Sequence, residues 1–161
     1  MGVINKSHKI NKDKEENEQE NDSENDKVEP LFTEKELRKF KNSSEEYDAY
    51  CKKLKFIERG EITVRENEYF AYQYCTNYSI MDMYRKKIKM ETLSKEIKYV
   101  EKASFYLGGS ECGGSSNVLD IFKATKKGKF EIKISTIWPL DVKNITKKKK
   151  ITSDIIKVNV I

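Results

Sequence analysis

The side chains best suited to covalent or acid–base chemistry are sparse in this chain and poorly placed to act together. Its one histidine, His8, lies among residues 1–30. A cysteine nucleophile needs an ordered base within hydrogen-bond reach. Residues 11–27, NKDKEENEQENDSENDK, are almost devoid of apolar side chains, so the neighbourhood of His8 cannot bury enough surface to offset its ordering entropy. The three cysteines, Cys51, Cys75 and Cys112, lack CxxC spacing, which indicates neither a zinc site nor a disulfide framework. The acids after Gly60 are scattered at strand ends, where solvent rather than a cleft is their neighbour. The sequence therefore reads as a non-enzyme with no metal and no cofactor.

Three other stretches invite a functional reading. LGGSECGGSS, residues 107–116, resembles a phosphate loop only in its glycines; it lacks GK[ST] and no helical pattern follows it. Its glycines suit a hairpin, or a backbone that a partner approaches closely. NITKKKKITS, with Lys147 to Lys150, suggests nucleic acid, yet no aromatic residues interleave with those lysines, so a stacking platform is missing. In TIWPLD the sole tryptophan, Trp138, stands directly before Pro139. A proline cannot continue a ladder, so the largest ring of the chain closes a strand. That ring is either a core side chain stacked between sheets or an anchor projecting from a loop.

The elements that must position these stretches are mostly strands. Thr33 and Glu36 form a capping-box pattern, with Leu37 and Phe40 at helical spacing, which predicts a helix over 33–41. Tyr47, Tyr50, Cys51, Leu54 and Phe56 extend a helical face as far as Gly60, with the break at KNSS making it a second short piece. From Gly60 the period falls to two. EITV, YFAYQYC, IKYVEKASFYL, NVLDIFKA, KFEIKIS and DIIKVNVI read as short strands rich in β-branched and aromatic residues, which predicts a β-sandwich. Residues 77–95, NYSIMDMYRKKIKMETLSK, fit neither period well and leave strand, helical turn and long loop open.

Length and charge set the outer limits. A chain of 161 residues suits one domain with an appendage, and no apolar run is long enough to span a membrane. The formal charge of +5 is unevenly spread. Acids outnumber basic groups in residues 1–30, whereas residues 121–161 set many lysines against only Glu131, Asp141 and Asp154. That distribution favours acidic partners.

CTNYSIM, GGSECGGSS and TIWPLD, three loops of one sandwich in this order, resemble the chagasin-type inhibitors of papain-like cysteine proteases, whose loops are written NPTTG, GxGG and RPW. Asn77, Tyr78, Ser79, Ile80 and Met81 fall at the first motif, with Asn kept, Ser in place of the first Thr, and Pro and Gly lost. Gly113, Gly114 and Ser115 fall in the glycine loop, and VLDIFKATKKGKFEI follows it as a two-strand hairpin. Trp138, Pro139 and Leu140 fall on the third motif, with proline alone identical. The likeness spans residues 60–161. The Asn/Lys-rich tail and the segment before the sandwich are similar to the falstatin-type apicomplexan members, in which the inhibitory domain forms the C-terminal part of a longer secreted precursor.

The resemblance implies an all-β, immunoglobulin-like sandwich over 60–161, a short helical extension over 31–59 and a disordered acidic tail over 1–30. It further implies reversible, noncovalent occlusion of a papain-like protease cleft, with the 77–81 loop near the catalytic cysteine and the other two loops gripping its sides. The expected partner is a cathepsin-like protease of parasite or host, reached through the secretory pathway, with neither membrane insertion nor nucleic acid. The alternatives are a non-inhibitory immunoglobulin-like binding or adhesion module and, more remotely, a basic nucleic-acid binder using Lys143 and Lys147 to Lys150.

Overall fold

The computed structural model describes residues 28–77, 86–106, 108, 115–138 and 150–161. Of the expected segments, most of the acidic tail lies outside the described residues. The Thr33 capping box forms as predicted: Thr33 Oγ1 accepts from the Glu36 N–H at 3.3 Å while the Thr33 N–H donates to Glu36 Oε2 at 2.8 Å. The helix it starts, α1 (Glu34–Leu37), is shorter than the spacing predicts. Phe40 turns instead to meet Phe32 edge-on at 5.6 Å, and Asn42 accepts from the Glu45 N–H at 2.9 Å to start α2 (Ser43–Lys53).

The strands follow as β1 (Lys55–Phe56), β2 (Glu61–Val64), β3 (Tyr69–Thr76), β4 (Lys87–Thr92), β5 (Ile97–Tyr106), β6 (Ser116–Ala124), β7 (Gly128–Ile137) and β8 (Ile151–Val160). β4 resolves the ambiguous stretch: Ile88 and Met90 turn inward while Lys87, Lys89 and Glu91 face solvent. One sheet runs β1-β3-β6-β5 and the other β2-β8-β7-β4. With β1, β3, β6 and β5 as strands A, B, E and D, and β4, β7 and β8 as C, F and G, this is the strand order of an immunoglobulin-like sandwich. β2 adds a parallel edge to β8. The all-β, immunoglobulin-like architecture read from the sequence is therefore the observed one.

Alternation explains what lies between the sheets. Phe70, Phe122, Ile132, Ile134, Ile156 and Val158 share one buried cluster, each from a residue whose pleat points inward. A second cluster lies on the outer face of the first sheet, where Phe32, Tyr50 and Leu54 pack on Ala71, Phe105, Leu119 and Ile121. Residues 31–54 therefore cover that sheet, and the helical face expected to run to Gly60 stops at Lys53 because Phe56 joins the sheet's edge in β1. Tyr50 and Phe105 meet edge-on at 5.2 Å, Leu31 N–H donates to Glu101 Oε1 at 3.2 Å, and Gln73 Nε2 donates to Tyr47 Oη at 2.8 Å. β6 is consequently buried on both faces, with Leu119 and Ile121 under the helical segment and Val118, Phe122 and Ala124 between the sheets.

Because β6 is a hub for both clusters, truncation on either face should be costly. Phe122→Ala is expected to lower unfolding free energy by about 3–5 kcal/mol and Leu119→Ala by about 2–5 kcal/mol, measured by chemical denaturation. Similar losses on the two faces would show that the helical segment is an integral cover; a near-neutral Leu119→Ala would show that it is not.

Candidate functional site

Strand register assigns the connections to the two ends of the sandwich. The links 93–96, between β4 and β5, and 125–127, between β6 and β7, are short, so the C-terminal end of β4 and the N-terminal end of β5 lie together at one end. At the other end, Thr76 and Tyr106 both pair with Ser116, and Lys87 and Ile151 both pair with Ile137. The three long connections, 77–86, 107–115 and 138–150, therefore leave and re-enter the sandwich at the same end. These are the connections that carry the three motifs.

Of the residues singled out in those motifs, Asn77, Ser115 and Trp138 are described. Asn77 is half-buried at the exit of β3, and Ser115 is exposed before β6. Tyr78, Ser79, Ile80, Met81, Gly113, Gly114, Pro139 and Leu140 lie outside the described residues, as do Lys143 and Lys147 to Lys149. Trp138 is not a core side chain. It is 41% exposed and extends the β7–β8 ladder by one step, its N–H donating to the Lys150 carbonyl at 2.9 Å. Lys86, the residue before β4, stands over the indole with Nζ 5.4 Å from the ring centroid, within cation–π range. Tyr106 and Ile151, 56% and 58% exposed, add apolar surface at the same end. Tyr106 is out of phase with Ala103 and the buried Phe105, and Ile151 has the opposite parity from the buried Ile156, Val158 and Val160, so alternation places both away from those packed rows.

Beneath this end the inter-sheet layer turns polar. Asp120 sits across β6 from Tyr72 and Lys102 and is 1% exposed. Tyr99 Oη donates to its Oδ1 at 2.9 Å, and Lys102 Nζ is 3.8 Å from the same oxygen. Oδ2 is buried without a hydrogen-bond partner among the described residues. Burial pushes the Asp120 carboxyl above its ordinary range, against the opposing pull of the Tyr99 hydrogen bond and the Lys102 charge. Burial likewise raises the Tyr99 hydroxyl, reinforced by the Asp120 charge, and raises Tyr72, reinforced by Asp154 and Asp120. Within NVLDIFKA the one acid, Asp120, holds an inward pleat position, a signal that the apolar run masks.

Among the described residues, no group of His, Cys, Asp and Glu side chains is arranged to hold a metal ion. Among the described residues, no helix is long and apolar enough to cross a membrane. The described residues at this end offer exposed rings and an isoleucine, near Lys86, Lys87 and Lys150, where the three long connections leave the sandwich.

The strand order defines an immunoglobulin-like sandwich. Among solved structures, the chain is similar to EhICP2 of Entamoeba histolytica, a cysteine protease inhibitor, with 16% identity and a TM-score of 0.48 over 67% of this chain and 96% of that one. It is also similar to amebosin, with 16% identity and a TM-score of 0.33 over the same shares. No family model matches the sequence, and no curated protein matches it.

Asp120 gives the polar layer a measurable signature. The folded state holds its proton more tightly than the unfolded chain, so stability is lost as pH rises from about 4, the ordinary Asp value, through the folded value, and is level above it. Glu36 and Glu96 are shifted the other way, chiefly by backbone hydrogen bonds, and their contribution to stability is lost only as pH falls below the usual carboxylate range. Denaturation midpoints of the wild type should therefore decline across that upper window, and Asp120→Asn should remove the decline. An unchanged slope in the variant would assign it to another group.

Proposed function

We propose that this chain is a reversible, noncovalent inhibitor of papain-like cysteine proteases, presenting residues 77–81, 113–115 and 138–140 to the active-site cleft. The observation that carries the reading is the convergence of the three motif-bearing connections at one end of the sandwich, with Trp138 exposed there rather than packed in the core. An inhibitor that occludes a cleft needs several segments presented together on a rigid base, because ordering them separately would cost affinity.

The residue chemistry suits that task. In the proposed complex, the Asn77 to Met81 segment enters the cleft and blocks substrate without supplying a nucleophile. Trp138 is the apolar anchor, held in place by the Lys150 carbonyl and the Lys86 ammonium, and a preordered indole loses little freedom on binding. Lys86, Lys87 and Lys150 favour encounter with an acidic rim, chiefly through association rate. As a falstatin-type member, the protein would meet its protease, of parasite or host origin, in the secretory pathway.

Titration of the chain into an active papain-like protease, followed with a fluorogenic substrate, tests the reading directly. Stoichiometric loss of activity is expected. Trp138→Ala should raise the inhibition constant by about 30-fold or more, the equivalent of about 2 kcal/mol for a central tryptophan, without a change in circular dichroism. Absence of inhibition by the folded wild type across several such proteases would favour a non-inhibitory binding module built on the same sandwich.

A further inference from the structure

Among the described residues, β8 is paired along its whole length on one side and only over its last four residues on the other. β7 accompanies it from Ile151 to Val160, whereas β2 meets it only from Lys157 to Val160. Residues 151–155 are all exposed. Backbone direction along this stretch follows from the bonds at its two ends. Trp138 N–H donates to the Lys150 carbonyl, so even-numbered residues of β8 exchange hydrogen bonds with β7 in the alternating antiparallel pattern. The N–H groups of Lys157 and Ile161 donate instead to Gly60 and Val64, on the β2 side. Ile151, Ser153 and Ile155 therefore direct their N–H and C=O groups at the open edge, beyond the end of β2.

An open edge is a template for another strand, and edges are ordinarily guarded by lysines, prolines or bulges. β4 carries Lys87 and Lys89 along its edge. β5 carries Lys98 and Lys102 and a register shift between Tyr99 and Glu101. The stretch Ile151-Thr152-Ser153-Asp154-Ile155 has no lysine, no proline and no shift in its register with β7. Its outward side chains are Ile151 and Ile155, 58% and 45% exposed, with Ser153 between them and its Oγ 3.1 Å from Ser135 Oγ.

We propose that this edge pairs with the same edge of a second copy of the chain. The stretch is self-complementary about Ser153. In antiparallel pairing centred there, Ser153 faces its counterpart, and Ile151 of each copy lies beside Ile155 of the other. Thr152 of each copy faces Asp154 of the other, hydroxyl donor against carboxylate acceptor. The residues that face each other in apolar pairs are the same ones whose backbone groups point outward, so hydrogen bonding and apolar contact come into register together. The contact is isologous and closes at two copies, joining the two β2-β8-β7-β4 sheets into one. Antiparallel pairing sends the two loop ends in opposite directions, leaving each free; if the inhibitor reading holds, the dimer engages one protease at either end.

Sedimentation velocity of the full chain over a micromolar to millimolar series tests the pairing without any protease, so its failure is distinguishable from failure of the inhibitor reading. The wild type is expected to move from monomer to twice the monomer mass as concentration rises. Ser153→Pro removes an N–H aimed at the open edge rather than at β7, and Ile155→Lys places a charge where the apolar pair would form. Both should remain monomeric with wild-type circular dichroism, and Ile155→Lys decides the question alone if the proline variant does not fold. A wild type that stays monomeric throughout, or a dimer that survives Ile155→Lys, overturns the proposal.

Discussion

Strand β6 cannot accept solvent on either face. Val118, Leu119, Ile121, Phe122 and Ala124 are all fully buried, so the strand requires a cover on each side, and each cover dictates much of the remaining architecture. The second sheet closes one side, bringing Ile132, Ile134, Ile156 and Val158 against Phe122 and Phe70. The helical segment closes the other through Tyr50, Leu54 and Phe32. Sandwich sheets commonly leave an outer face wet, with polar residues alternating outward. Here the outer face around Leu119 and Ile121 is apolar, and the segment before the sandwich is integral to it.

The same constraint explains which parts of the fold are legible in sequence. Strands with one wet face declare themselves: KFEIKIS alternates cleanly, and its β7 buries Ile132 and Ile134 while exposing Glu131. β6 reads only as an apolar run because both pleats point inward, and the second cover cannot be inferred from it. β4 alternates too, but its Lys-Ile-Lys-Met pattern is short and follows a connection with no period. Over residues 38–40, the helix-like spacing of Leu37 and Phe40 is overridden by contact of Phe40 with Phe32, a tertiary preference that local propensity does not register.

The candidate site is legible to a different degree. Trp138 before Pro139 marks a strand end, and the indole is exposed there rather than packed between the sheets. Tyr106 and Ile151 are out of phase with the buried Phe105 and Ile156, so alternation marks them as exposed, but only strand register brings them to one end of the sandwich. Asp120 is missed because one acid in an apolar run resembles a solvent-facing position until register places it opposite Tyr72 and Lys102. The inter-sheet layer is thus apolar at the end of the short links and increasingly polar toward the three long connections.

The unequal lengths of those connections divide the molecule into a part that resists change and a part that accepts it. The links 93–96 and 125–127 are held by ladder-like bonds, such as Thr125 N–H to the Glu96 carbonyl at 2.9 Å, and an insertion there would shift strands that share a core. Closure entropy grows slowly with chain length, about 0.6 kcal/mol for each doubling, so lengthening a connection at the other end costs little. Insertions, deletions and substitutions can accumulate in 77–86, 107–115 and 138–150 while β6 and its two covers stay intact. The sandwich is in that sense a graftable frame, on which new recognition sequences can be installed at three adjacent sites without renegotiating the core.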